Sequence, residues 1–186
     1  MKPHYDYIIT GAGLAGLSLL MRMMQHPFFD TAQILVIDAA QKNTNDRTWC
    51  FWEKESDIFE PIVIKKWDHV SFLAPSYTNE LNLSPYTYKM IRGIDLYSYV
   101  LEKAATKNNI SFCTERVLAV HSDNEGAKVV LENQTLTASK VFNSILFEPA
   151  NVLAQKAADY FLWQHFKGYE IKTETPVFND ALATLM

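Results

Sequence analysis

Three glycines between a predicted strand and a predicted helix constrain the fold of this chain most strongly. Gly11-Ala-Gly13-Leu-Ala-Gly16 follows an apolar, β-branched run at residues 5–10 and opens a segment that is apolar on every face from Leu14 onward. A second buried strand is predicted at residues 33–38. Strand, glycine turn, helix and strand form a βαβ unit of about thirty residues, in which the crossover is right-handed and the strands are parallel.

The spacing of the glycines predicts a site for a dinucleotide. Gly11 permits the tight turn, Gly13 lets the backbone approach a pyrophosphate, and Gly16 lets helix and strand pack closely. The phosphates are expected at the positive N-terminal end of the helix. Asp38 ends the second strand, 22 positions after Gly16, where its carboxylate can accept hydrogen bonds from a ribose. This pattern favours FAD or NAD over a 2′-phosphorylated nucleotide, and a tight turn without a ligand is the alternative.

The remaining chain alternates between regular segments and a long irregular one. Periodicity fails over residues 39–57, which predicts a long functional loop or an insertion. An amphipathic helix is predicted at residues 95–107 with Asp95 as N-cap. The other predicted elements are a hairpin (68–74 and 79–83), a strand (110–114), a three-stranded meander (117–121, 128–131 and 135–138), a buried strand (141–147), a link (151–162) and a strand of a different sheet (164–173).

These elements predict an α/β fold. It consists of a Rossmann-like FAD/NAD(P)-binding domain with a parallel sheet and a β-meander, plus the start of a second, β-rich substrate domain. The expected divisions are the first part of the FAD-binding domain (1–66), a hairpin insertion toward the substrate domain (67–90), the second part of the FAD-binding domain (91–150), and the link with the start of the substrate domain (151–186). Residues 176–186 carry neither a polar tail nor a helix stop signal, so we expect the sequence to continue in a longer chain.

Composition excludes several classes of function. The 17 basic and 21 acidic side chains leave a net charge of −4, which provides no field for holding nucleic acid. Cys50 and Cys113 lie far apart and outside any CxxC pattern, so neither a disulfide framework nor a metal site is expected. Because disulfides are typical of oxidising compartments, we expect a cytoplasmic location. The sequence contains no run of 18 consecutive apolar residues, so no transmembrane helix is predicted.

The predicted loop contains the most distinctive segment, residues 45–53 (NDRTWCFWE). It resembles the NDRTWCFW signature of the lycopene β-cyclase family, enzymes that close the ends of the polyene lycopene. Further similar segments are residues 11–18 (GAGLAGLS), 88–95 (YKMIRGID), 164–169 (QHFKGY), 176–178 (PVF) and 184–186 (TLM). The resemblance covers essentially the whole chain. It implies that the family's catalytic acidic motif, and a segment contacting the other end of the flavin, belong to a continuation of this sequence.

The resemblance implies an acid-initiated cyclisation of the lycopene ends to β-rings. This is a non-redox isomerisation in which FAD acts in its reduced form and NAD(P)H is the reductant. The partner is then lycopene or a related carotenoid, and because such a substrate lives in membranes, peripheral association with the inner face of a membrane is expected. One alternative is an FAD-dependent monooxygenase of the aromatic hydroxylase type, whose arrangement the order of elements also resembles. Another is a nucleotide-binding module without catalysis of its own.

Arginines and aromatic residues complete the expected sites. Arg47 and Arg92 can bind flavin phosphates or pair with surface carboxylates, and only the resemblance favours the first role. An aromatic wall attracts a carbocation, which makes Trp49 and Trp52 the expected substrate residues, with core packing as the alternative. Glu53 is interpreted as an exposed loop carboxylate rather than a proton donor. The expected cofactor-binding residues are Gly11, Ala12, Gly13, Leu14, Ala15, Gly16, Asp38, Arg47, Arg92 and Val117.

Overall fold

A computed structural model describes residues 4–124, 126–148, 169 and 171–185. The helices are α1 Leu14–Met24 and α2 Gly93–Ala105. The strands, in chain order, are β1 His4–Thr10, β2 Ile34–Asp38, β3 Thr48–Glu53, β4 Lys65–Trp67, β5 His69–Ala74, β6 Tyr77–Asn82, β7 Thr87–Arg92, β8 Ile110–Thr114, β9 Val117–Asp123, β10 Gly126–Leu131, β11 Thr135–Asn143 and β12 Ala183–Leu185. Short 3₁₀ turns occur at Pro27–Phe29 and Glu60–Ile62.

The chain divides into two compact units, which are described separately. The described residues of unit 1 come from Met1–Trp49, Ile58–Ile62 and Ile91–Phe147. Those of unit 2 come from Cys50–Asp57, Val63–Met90 and Glu148–Met186. The assignment of residues 67–90 and 151–186 to a substrate domain stays a prediction.

Unit 1 is built on a six-stranded sheet with the order β8-β2-β1-β11-β10-β9. The first four strands are parallel neighbours, and β9, β10 and β11 form an antiparallel meander. Successive side chains of a strand point to opposite faces, so a strand buried on both faces is continuously apolar. In β2, Ile34 and Val36 join the apolar cluster that contains α1 and α2, while Leu35 and Ile37 join the cluster formed with the meander. The predicted βαβ unit and meander are therefore confirmed.

The predicted strand at residues 141–147 is wrong as a separate element. Strand β11 runs without a break from Thr135 to Asn143. Its first residues pair antiparallel with β10, and from Thr137 onward it pairs parallel with β1. A single extended segment thus closes the meander and enters the parallel part of the sheet, which local sequence patterns do not reveal.

Helix α2 begins two residues earlier than predicted. Arg92 is the N-cap, in an extended conformation, and Asp95 lies in the first helical turn instead of capping the helix. The backbone N–H of Gly93 donates to the carbonyl of Arg47 at 2.7 Å, so a distant segment supplies the partner of an N-terminal donor. A long-range hydrogen bond therefore moves the helix boundary.

Unit 2 contains two small sheets. One has the order β12-β5-β6, in which β5 and β6 form the predicted hairpin and β12 pairs parallel with β5. The other has the order β3-β7-β4, so residues 39–57 contain a strand that the prediction of a long loop missed. Its partner β7 lies about forty residues further along the chain, which leaves no local hairpin signal.

The predicted link at residues 151–162 lies outside the described residues, and so does most of the predicted strand at 164–173. Across the part of the chain that the structure describes, no helix combines the length and the apolar character needed to cross a membrane.

Candidate functional site

The glycine turn joins β1 to α1 at the carboxyl edge of the parallel sheet. Gly11 has a φ of +96°, which side chains rarely tolerate, and a Cβ there would lie 2.2 Å from the Oγ of Ser144. A Cβ on Gly16 would lie 2.0 Å from the carbonyl oxygen of Gly11. By contrast, a Cβ on Gly13 would meet nothing within 4 Å. Two of the glycines are therefore required by the protein itself, whereas Gly13 leaves open space in front of the backbone.

The N-terminus of α1 presents backbone N–H donors next to this space. Gly13 is the N-cap and provides no side-chain cap, and the first turn carries no acidic residue. The helical ladder begins with the N–H of Leu17, which donates to the carbonyl of Gly13 at 3.0 Å. The preceding N–H groups, those of Leu14, Ala15 and Gly16, belong to the turn that lacks intrahelical acceptors. With the positive end of the helix dipole, they form an environment suited to a phosphate.

Asp38 connects the glycine turn to the segment that follows β2. Its Oδ2 accepts a hydrogen bond from the N–H of Ala12 at 2.7 Å, and its Oδ1 accepts one from the N–H of Ala40 at 3.0 Å. The Nζ of Lys42 lies 3.1 Å from the same Oδ1. The predicted acidic residue is thus held rigidly, and Lys42, which the sequence analysis did not single out, balances its charge.

Two cavities of unit 1 meet at Asp38. One, of about 260 Å³, is lined by residues that include Ala12, Asp38, Lys42 and Thr114. The other, of about 270 Å³, includes Asp38, Val117 and the cation of Arg116. The structure therefore brings Asp38 together with Ala12 in one cavity and with Val117 in the other, and their binding of a cofactor stays a prediction.

Arg116 and Ser144 are further candidate site residues that the sequence analysis missed. Arg116 lies between β8 and β9 beside the second cavity. The hydroxyl of Ser144 donates to the carbonyl of Thr10 at 2.9 Å, next to the glycine turn. Both follow strands of the sheet at its carboxyl edge, where ligands bind in open α/β sheets, and this position is the signal that could have identified them.

The structure places Arg47 and Arg92 away from these cavities. Both side chains are exposed, and neither residue lines the two cavities at Asp38. The guanidinium of Arg92 binds the carboxylate of Asp95 through two hydrogen bonds of 2.6 and 3.0 Å. Arg92 therefore makes the surface pair that was its alternative role. That Arg47 and Arg92 bind flavin phosphates stays a prediction.

Trp49 and Tyr97 pack together within unit 1. Trp49 is partly buried against the cluster that contains α1 and α2, and its ring meets that of Tyr97 edge-on at 6.1 Å between centroids. The hydroxyl of Tyr97 donates to Asp46 at 2.8 Å. Burial, and then this hydrogen bond, raise the pKa of Tyr97 to about 12. The NDRTWCFW segment thus contributes a buried contact to the core of unit 1.

Trp52 and Glu53 lie in unit 2. The side chain of Trp52 is 49% exposed and stacks on Tyr88. Glu53 is not an exposed loop carboxylate: it lies on β3, and its Oε2 is 2.6 Å from the Nζ of Lys89, which is only 4% exposed. The partner of this carboxylate lies 36 residues further along the chain, so the local sequence does not reveal the pair.

The sequence of this chain matches one protein family over nearly its whole length. The profile of that family, described as lycopene cyclase protein, covers residues 6–186. The chain belongs to the lycopene cyclase family. The lycopene beta-cyclase of Pantoea ananas is 36% identical over 88 residues, which are 44% of this chain and 22% of that relative. The match between this lycopene cyclase family member and its curated relative therefore spans less than a quarter of the relative's length.

Solved structures similar to this lycopene cyclase family member are flavoenzymes. PqsL of Pseudomonas aeruginosa, a probable FAD-dependent monooxygenase, has a TM-score of 0.57 at 17% identity, covering 74% of this chain and 41% of PqsL. The p-nitrophenol 4-monooxygenase PnpA of Pseudomonas putida DLL-E4 has a TM-score of 0.60 at 9% identity, with coverage of 77% and 41%. The halogenase PltM, solved with phloroglucinol and FAD, has a TM-score of 0.54 at 15% identity, with coverage of 76% and 34%. These likenesses concern the fold, and they confirm the predicted fold class.

Proposed function

We propose that this chain is the FAD-binding part of a lycopene β-cyclase. The observation that carries the proposal is the geometry at Gly13, where open space faces the N-terminus of α1 in a chain of the lycopene cyclase family. FAD fits the donors present, because the N–H groups of the first helical turn suit a pyrophosphate. The carboxylate of Asp38, beside the two cavities, suits the hydroxyls of a ribose.

The residues of this chain would bind and orient the cofactor. The N–H groups of Leu14, Ala15 and Gly16 would hold the phosphates, and Ala12 would keep Asp38 turned toward the ribose. Lys42 and Arg116 would balance the negative charges on either side of Asp38. When bound, reduced flavin supplies an electron-rich ring that stabilises cationic charge or takes part in proton transfer, with NAD(P)H as the source of reduction.

The proposed reaction is an isomerisation. A Brønsted acid adds a proton to a terminal double bond of lycopene, the cation is attacked by a neighbouring double bond, and the new ring loses a proton to a base. One carbon–carbon bond forms, the number of protons is conserved, and no electrons are exchanged. We assign the acid to no residue of this chain. Because the substrate partitions into membranes, the complete enzyme would associate with a membrane peripherally.

Flavin binding tests the first half of the proposal. In the protein expressed from its complete gene, Gly13→Ala is expected to lower FAD affinity by about tenfold or more, since the new methyl group fills the open space. The melting temperature of the apoprotein should change little, because the methyl group meets no protein atom within 4 Å. Gly16→Ala is the contrasting variant, which should disturb the fold itself. Unchanged FAD affinity in Gly13→Ala would exclude a pyrophosphate at this turn.

Product analysis tests the proposed cyclase activity. The complete gene is expressed in a host that accumulates lycopene, and carotenoids are separated by chromatography. Cyclic carotene supports the cyclase. A hydroxylated product would favour the monooxygenase alternative, and unchanged lycopene beside a folded, flavin-loaded protein would overturn the proposed activity. Unchanged lycopene with a protein that binds nucleotide only would favour the non-catalytic module.

A further inference from the structure

Three aromatic rings of unit 2 lie in a row across one sheet, the first two stacked and the third tilted against the second. Trp52 on β3, Tyr88 on β7 and Trp67 on β4 come from three adjacent strands. The centroids of Trp52 and Tyr88 are 4.4 Å apart with an interplanar angle of 28°, and those of Tyr88 and Trp67 are 5.7 Å apart at 34°. Trp67 and Tyr88 are also paired in the strand register. We refer to these three residues as the ring stack.

The face of this sheet opposite the ring stack carries an ion pair. Lys89, next to Tyr88 in sequence, points to the opposite face of β7, where it is buried and paired with Glu53. Next to the ring stack, the side chains of Tyr88 and Cys50 interact. Burial, followed by this interaction, raises the pKa of Tyr88 to about 12, so the phenol stays neutral at physiological pH. The three rings of the ring stack are therefore uncharged, and the Lys89–Glu53 pair lies on the opposite face. Lys65, two residues before Trp67 on β4, shares the face of the ring stack, and its charge is balanced by Asp180.

Only one end of the ring stack offers a large open ring. Tyr88 belongs to the middle strand, with one tryptophan on each side, and both Tyr88 and Trp67 are partly buried. Trp52 is 49% exposed. An aromatic face carries a negative quadrupole, and among side chains tryptophan binds cations best. The exposed ring of Trp52 thus complements a ligand that is apolar and planar in its resting state and becomes positively charged during reaction.

We propose that the exposed ring of Trp52, supported by Tyr88 and Trp67, receives the end of the polyene and stabilises the cation from which the ring closes. This inference rests on the proposed cyclase function and names the part of the chain that contacts the reacting end. It separates the two tryptophans that sequence analysis treated alike, because Trp49 packs in the core of unit 1. In this assignment Trp52 touches the reacting atoms, and Tyr88 is a positioning residue.

The experiment compares substitutions at position 52 in the complete, flavin-loaded enzyme. The rate of cyclisation should fall in the order Trp, Tyr, Phe and Leu, with Trp52→Leu slower than wild type by about 2- to 30-fold. The affinity for FAD should not change, and the loss should appear in kcat more than in KM, since the cation exists only during reaction. A merely structural tryptophan would not produce a rate that follows the strength of the aromatic face.

Tyr88 and a matched surface tyrosine provide the controls. Tyr88→Phe keeps the stacked ring and should retain most of the activity, whereas Tyr88→Leu should reduce kcat. Tyr77 is 53% exposed on the hairpin of β5 and β6, outside the ring stack, so Tyr77→Leu should leave the rate unchanged. If Trp52→Leu and Trp52→Phe cyclise lycopene as fast as wild type, or if Tyr77→Leu is equally slow, the role of the ring stack is overturned while the cyclase function stands. A wild-type enzyme that forms no cyclic carotene would overturn both.

Discussion

Units 1 and 2 use their apolar residues in different ways. In unit 1, β1 and β2 are buried on both faces, and side chains such as Ile8, Leu20 and Ile37 have no exposed surface. In unit 2, Val70, Ser71 and Lys89 are the only described residues that are buried, and one of them is a lysine. Large apolar side chains such as Phe72, Tyr77 and Leu81 are exposed there instead. Among the described residues, unit 1 therefore buries many apolar side chains in its own core, whereas unit 2 buries few and leaves several large ones exposed.

This difference indicates where stability and binding reside. The free energy of folding scales with the apolar area removed from water, so most of it should come from unit 1. Exposed apolar surface is common at sites that bind apolar ligands or other proteins. Unit 1 thus provides the scaffold and the proposed nucleotide site, and unit 2 provides exposed aromatic surface. Changing single side chains in unit 1 and in unit 2 tests this contrast between a buried core and an exposed apolar surface.

The largest expected effect comes from the core of unit 1. Leu20 is fully buried in α1, and Leu20→Ala should lower the free energy of unfolding by about 2–5 kcal/mol. Leu81 on β6 is 43% exposed, so Leu81→Ala should cost about 1 kcal/mol or less. Urea denaturation followed by circular dichroism measures both values. Equal losses in the two variants would break the contrast between the units.

A smaller effect is expected at the buried ion pair of unit 2. Lys89→Met removes a cation 2.6 Å from the carboxylate of Glu53, whose side chain is 22% exposed. Because water partly solvates that carboxylate, the loss should be about 1–3 kcal/mol, below the cost in a fully buried site. The double variant Lys89→Met/Glu53→Leu should recover part of the loss, and a double-mutant cycle gives the coupling energy. Additive losses would show that the pair contributes nothing beyond its separate members.

The smallest effect concerns the alkaline stability of unit 1. The pKa of Tyr97 is raised to about 12, above the value near 10 expected in an unfolded chain. The folded protein then holds this proton longer than the unfolded chain, so stability is complete below about pH 10 and is lost as the pH rises toward 12. Tyr97→Phe should lower the free energy of unfolding by about 1 kcal/mol at pH 8, through loss of the hydrogen bond to Asp46. It should also reduce the loss of stability as the pH rises from about 10 toward about 12.

The measurement for Tyr97 is denaturation at a series of pH values between 8 and 11.5, with the wild type and the variant compared at each value. Tyr88→Phe is the matched variant in unit 2, because the pKa of Tyr88 is also raised to about 12. A Tyr97→Phe protein with the same alkaline slope as the wild type would show that Tyr97 ionises alike in the folded and unfolded chain.

Much of unit 1 could be predicted from local patterns. The glycine turn, the apolar runs of β1 and β2 and the amphipathic character of α2 depend on neighbouring residues, which share one helix face or one strand. Leu20, in the predicted all-apolar helix, is fully buried in the cluster of α1 and α2. These features required no knowledge of distant contacts.

Unit 2 could not be predicted in the same way. Strand β3 is defined by its pairing with β7, and β12 by its pairing with β5 more than a hundred residues earlier in the chain. Glu53 looked like a loop carboxylate because its partner, Lys89, is distant in sequence. Trp49 and Trp52 looked equivalent because three positions along a segment of unknown conformation do not define which face each ring occupies.

The sequence by itself determined the βαβ unit and the family of this chain, and it predicted the place of a dinucleotide site. Each of these depends on residue types at short, regular spacing, and steric and hydrogen-bonding rules act directly on such spacing. Only the tertiary structure decided which glycine faces open space, which cation balances Asp38 and which tryptophan remains exposed. These outcomes depend on atoms that the fold brings together from distant positions, and no local pattern encodes them.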